Sequence, residues 1–101
     1  MSDDSVFLAL YVDWQTVTGS VERWGYCINF GVANPPALEA KLRAGSRVII
    51  HDMELRCEAI LERSSCGGQW FGIPIPETSR DLEPGEFERL EAAMKRAASE
   101  I

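Results

Sequence analysis

From Met53 to Ala59 apolar and charged residues alternate without a break, with Met53, Leu55, Cys57 and Ala59 on one parity and Glu54, Arg56 and Glu58 on the other. A period of two marks a strand with one buried face. If Asp52 and Met53 join this run to the apolar stretch before it, Ile50 faces Leu55 and Val48 faces Cys57, while Arg47 meets Glu58 and His51 meets Glu54. A five-residue turn over Ser-Ser-Cys-Gly-Gly, 64–68, then sets Leu61 opposite Phe71, Ala59 opposite Ile73 and Cys57 opposite Ile75. The pattern predicts an antiparallel three-stranded meander over 45–76 that turns Phe71 into the core and Trp70 outward beside Glu62. Asp-Met is a poor tight turn and 53–63 is rich in helix formers, so a helix is the alternative there. Strand is preferred, because helical spacing would bring Arg56 and Glu62 close to the apolar stripe.

Residues 1–5 are a polar lead-in, expected to fray. The run Val6 to Trp14 is apolar on both parities, which predicts a strand covered on both sides, one cover being the C-terminal helix or a partner. Gln15 to Ser20, which carries Thr-Gly-Ser, reads as a turn. Beyond it Trp24, Tyr26, Ile28 and Phe30 share one parity, with Gly25 and Gly31 placed for a bulge or bend. Asn34-Pro35-Pro36 ends that strand, and Leu38 and Leu42 predict a short connector helix over 37–44 that stops at Gly45. After a linker over 77–83, Pro84, the early glutamates and the later Lys95 and Arg96 mark a helix over 84–99. Its stripe is Phe87, Leu90, Met94, Ala97 and Ile101. The expected fold class is mainly β (α+β), a small antiparallel barrel or strongly curved sheet of about five strands with those two helices, in a single domain.

The chain has 101 residues, 46% hydrophobic and 26% charged, with a net charge of −6. No third of it is basic, which argues against nucleic acid as the main partner, because phosphate binding needs clustered Lys and Arg. Cys27, Cys57 and Cys66 are irregularly spaced beside a lone His51, so neither a zinc site nor a disulfide framework is indicated. No catalytic motif, cofactor motif or membrane span is visible, and the acidic start does not suit a secretory leader. The expected location is cytoplasmic, with no metal and no cofactor.

Five short strands with a connector helix, and the Leu-Arg-Ala-Gly-Ser-Arg-Val-Ile-Ile run from Leu42 to Ile50, resemble small SH3-like barrels of translation- and transcription-associated proteins. The resemblance implies binding of RNA or protein through exposed loops, although the acidity here departs from the RNA-binding members. Arg43 and Arg47 also match the R-x-x-x-R of barrels that bind cyclic dinucleotides. The Glu-Arg-Ser-Ser-Cys-Gly at 62–67 approximates their D/N-x-S-x-x-G, with Glu at the Asp or Asn position.

Among aromatics, Trp14, Trp24, Tyr26, Trp70 and Phe71 stand out, read either as core cover or as a contact surface. Pro74 and Pro76 suggest that 69–75 is an edge strand to which a partner could add. The function expected is therefore a non-enzymatic protein-interaction module, acting on another protein or by self-association through Trp24, Tyr26, Arg47, Arg56, Trp70 and Pro74. Phe87, Leu90 and Met94 offer a second interface if the helix does not pack internally. The alternative is a ligand- or nucleic-acid-binding barrel using Arg43, Arg47 and Arg56, and an unrecognised enzyme comes third. Asp13, Asp52 and His51 sit at strand ends, where such residues commonly make turns.

Overall fold

A computed structural model describes residues 8–15, 17–19, 24–31, 34–64 and 68–99. The expectations for residues 1–5, for the middle of the Ser-Ser-Cys-Gly-Gly turn with Cys66 and the 62–67 motif, and for Ile101 fall outside them. The fold is mainly β. Six strands, β1 (Leu8–Tyr11), β2 (Val17–Gly19), β3 (Trp24–Cys27), β4 (Arg47–His51), β5 (Leu55–Arg63) and β6 (Trp70–Pro74), form one sheet in the order β1-β4-β5-β6-β3-β2. A two-residue strand, β7 (Arg80–Asp81), pairs with the start of β5, and one α-helix, α1 (Glu86–Ser99), closes the chain.

The sheet is not closed into a barrel: no ladder joins β1 to β2 among the described residues. Nor is it wholly antiparallel, since β1 runs parallel to β4, with Leu10 beside Ile50 and Tyr11 beside His51. Strands β2 and β3 and the link after them intervene between β1 and β4, which gives the long crossover that a parallel pair requires. The link is a 3-10 helix over Pro36–Lys41 in place of an α-helix over 37–44. The stretch 77–83 is more than a linker, carrying part of a second 3-10 turn (Pro76–Thr78) and β7.

The strand reading holds over Leu55–Arg63, with Met53 and Glu54 in the turn before it, and both hairpins exist, but in different registers. His51 pairs with Arg56 and Ile50 with Cys57, because Asp52 to Leu55 forms a four-residue turn. The Asp52 Oδ1 accepts the N–H groups of Glu54 and Leu55, both at 2.7 Å, an Asx turn that tightens the corner without glycine. That shift of two residues keeps every side chain on its expected face. In the next hairpin Arg63 pairs with Trp70 and Leu61 with Gly72, one residue away from the expected register. A slip of one exchanges the faces. Trp70 therefore lies in the main core and is 7% exposed, with the Arg63 guanidinium 5.2 Å from its ring centroid, and Phe71 is buried on the opposite face.

The larger core gathers Leu10, Val48, Ile50, Ala59, Leu61 and Trp70 with Leu38 and Leu42 from the link, all buried. On the other face Ala9 and Ile49 meet Leu90 of α1, so β1 is covered on both sides, as its two-faced apolar pattern requires. Leu90 and Met94 are buried and Phe87 is half-buried, hence the helix stripe is spent on its own sheet. The outer edge of β1 is masked by buried Asn34. Its Oδ1 accepts from Tyr11 N–H at 2.7 Å, and its amide donates to the carbonyls of Tyr11 and Asn29 at 2.9 and 2.8 Å. A side chain thus answers an edge that could otherwise template another strand.

Candidate binding cleft

Strand β6 is internal, pairing with β5 on one side and β3 on the other, so its prolines do not make it an edge. They act over half its length. Ile75 N–H reaches Glu58 O on β5 at 2.8 Å, and by alternation the nitrogen of Pro74 faces β3, where it has no hydrogen to donate. The β3 ladder accordingly holds at Cys27–Phe71 and Tyr26–Gly72 and stops before Trp24. At the other end the pairing is extended by Ile28 N–H to Trp70 O at 3.0 Å and by the Gln69 amide to Ile28 O at 3.0 Å. Gly25 lets the two strands close beside the last rung. A Cβ on Gly25 would come 2.4 Å from the Gly72 carbonyl oxygen and 2.8 Å from the Phe71 ring.

Where the strands part, a cleft of about 710 Å³ opens. One wall is aromatic. Trp14, from the turn after β1, and Trp24, on β3, both stand edge-to-face with Tyr26, at centroid distances of 4.8 and 5.8 Å and interplanar angles of 89° and 83°. The opposite side is aliphatic, formed by Leu55 and Cys57 of β5, Ile73 and Pro74 of β6, and Pro76 and Ser79 beyond it. Trp24 is 43% and Leu55 36% exposed, and Val17, beside Tyr26 on β2, is 55% exposed. Among the described residues the lining contains no carboxylate, imidazole, ammonium or guanidinium. Its one thiol, Cys57, is held by the carbonyls of Glu58 and Ile75 at 3.2 and 3.3 Å. Such a lining offers contact area, with the Tyr26 phenol and the Cys57 thiol as its titratable side chains.

Compared with family models, curated proteins and solved structures, the chain finds no match. The geometry has to carry the functional reading by itself.

Of the residues singled out from sequence, Trp24, Tyr26 and Pro74 converge on the cleft, joined by Trp14. Trp70 does not. Arg47 extends from the opposite face of the sheet and pairs with Glu58. Arg56 is buried beneath the start of α1, where its Nη1 donates to Glu86 Oε2 at 2.9 Å, and Arg80 closes on the same carboxylate through two bonds of 2.8 and 2.7 Å. Glu86 also accepts the Glu83 N–H at 3.0 Å, in the manner of a capping box. The Arg80 guanidinium, then the Glu83 N–H and Arg56, hold its carboxyl down to about 2 against the pull of burial. Arg43, at the end of the link, is exposed. The three arginines of the alternative reading therefore do not form a shared patch.

Beside Arg56 lies fully buried His51, its ring edge-to-face with Tyr11 at 5.8 Å and Phe87 at 6.0 Å. Nδ1 lies 3.1 Å from the Asp52 carbonyl oxygen, while Nε2 has no partner. Burial pushes its pKa below the ordinary histidine value. Among the described residues no group of three or more His, Cys, Asp or Glu side chains is placed to hold a metal ion, and no helix is long and apolar enough to cross a membrane.

Sequence reasoning missed Leu55 and Pro76 as cleft residues and Glu86 as the counter-ion of Arg56. A signal for the cleft was present in two prolines spaced by two, one of which removes the donor facing a strand that carries Trp24 and Tyr26 on one parity. Nothing local signals Glu86, because its partner lies 30 residues earlier.

Proposed function

We propose that this chain is a protein-interaction module whose cleft seats an extended segment of a partner protein. The observation that carries the reading is an aromatic and aliphatic trough left open by an interrupted ladder, with Trp24 and Leu55 exposed on its walls. Rigid aromatic side chains give large contact area at small entropic cost, and aromatic-lined grooves suit extended backbones that need no partner for every N–H. A lining dominated by aromatic and aliphatic side chains favours binding over chemistry. The cytoplasmic location and the barrel-like kinship belong to the same proposal. Ligand or nucleic-acid binding through Arg43, Arg47 and Arg56 has less support, since Arg56 is committed to Glu86 and Arg47 to Glu58.

The test is amide and indole shift mapping by NMR with a panel of unstructured ten-residue peptides. Saturable shifts grouped at the Trp14 and Trp24 indoles, Leu55 and Ile73 are expected. Shifts centred on α1 or on Arg43 and Arg47, or none with any peptide, would overturn the proposal.

A further inference from the structure

We infer that the segment bound in this cleft presents a cationic side chain, arginine or lysine, to the rings of Trp14, Trp24 and Tyr26. The inference rests on the reading of the cleft as a docking site and names the chemistry it selects. Two indoles stand perpendicular to one phenol ring, both within 6 Å of it, and Trp24, 43% exposed, keeps ring surface open to a partner. Aromatic faces carry negative quadrupole charge and attract a guanidinium or ammonium placed over them.

The surrounding charge points the same way. Among the described residues, the segments that build the cleft carry Asp13, Asp52, Glu54, Glu77 and Asp81. Asp81 pairs in register with Leu55 of the lining, and Asp52 holds the turn from which Leu55 leaves. The bases nearest them in sequence, Arg56 and Arg80, are both bound to Glu86, and Arg63 at the far end of β5 lies over the Trp70 ring. A net charge of −6 adds a long-range field favouring a basic partner. An acidic segment would meet like charge at the rim with nothing in the lining to neutralise it, and a neutral one would leave the rings' electrostatics unused.

Three seven-residue Ala/Pro peptides that differ only at the centre, with Arg, Gln or Glu, test this by tryptophan-fluorescence titration of the whole protein at two salt concentrations. The Arg peptide is expected to bind about tenfold more tightly than the Gln peptide, in keeping with one cation over aromatic rings, and the Glu peptide most weakly. Trp24→Ala should remove the Arg-over-Gln preference, and Trp24→Phe, which keeps a ring, should retain part of it. Equal binding of Arg and Gln peptides overturns the cation and leaves the docking site standing. A preference that survives in Trp24→Ala overturns the aromatic corner as its source, and no saturable response to any peptide overturns both readings.

Discussion

The two faces of this one sheet solve opposite problems. On the face under α1, charged and titratable groups are buried: Arg56 and His51 lie side by side in register, and the helix supplies Glu86 against the first and Phe87 against the second. On the other face, at the end where β3 and β6 part, aromatic rings and aliphatic chains stand open, with no carboxylate, imidazole, ammonium or guanidinium among the described lining residues. Placing charges inside and aromatics outside inverts the usual economy of a small domain. The first face is explicable as internal structure because buried Arg56 and its neighbour Arg80 both close on Glu86 within 3 Å. The second has no internal counterpart, and that asymmetry is why the cleft, and not the arginine-rich face, is the place to look for a partner.

The largest effect should come from unbalancing the closed face. Glu86→Ala leaves Arg56 buried with its carboxylate gone and also strips two bonds from Arg80 and one from the Glu83 N–H. Breaking a buried pair from one side costs about 3–5 kcal/mol. In a domain of this size each kcal/mol lowers Tm by about 4–8 °C, so a fall of more than 10 °C by calorimetry is expected. A fall of a few degrees only would mean that the triad is a solvated surface group, and the contrast between the faces would collapse.

These two faces also differ in how far they could be read beforehand. The alternation at 53–59 is strong enough to override helix propensity and fix β5, and the 3.6-residue spacing of Leu90 and Met94 fixes α1. Turn length is not encoded with that precision. Asp52 makes its corner with a side-chain oxygen, so a four-residue turn stands where two residues sufficed on paper, harmlessly for the pattern. The turn before Trp70 differs by one residue, and one residue is enough to move a tryptophan from surface to core. The parallel β1–β4 pair was not legible, because both strands are apolar and either direction buries them equally well. Glu86 was invisible for a different reason, since a counter-ion is chosen by three-dimensional proximity, and the sequence near Arg56 already offered Glu54 and Glu58.

A smaller effect separates the faces by pH. His51 has its pKa lowered in the folded chain, chiefly by burial, with the Arg56 charge acting in the same direction and Asp52 and Glu91 opposing. The unfolded chain therefore binds the proton more readily, so stability is complete above the ordinary histidine value of about 6.5 and declines as pH falls below it. One proton allows a slope of at most about 1.4 kcal/mol per pH unit. Glu86, lowered to about 2, adds its own loss only as pH falls below the ordinary glutamate value, which places the two losses in separate windows. Urea midpoints between pH 7.5 and 5 should fall in the native chain and stay nearly level in His51→Leu.

The smallest effect on stability should come from the cleft itself. Trp24 gives up an edge-to-face contact with Tyr26 on truncation, worth about 0.5–1.5 kcal/mol, but it is 43% exposed and its removal opens no closed cavity. Trp70 is 7% exposed in the middle of the core, where loss of a large aromatic costs about 3–5 kcal/mol. Trp24→Ala is therefore expected to lower the urea midpoint only slightly and Trp70→Ala severely, although both delete the same group from the same face of the sheet. If the two variants were equally destabilised, Trp24 would be holding the sheet together and would have no need of a partner. A nearly unchanged midpoint, together with lost peptide binding, is the pattern of a residue kept at a surface for contact.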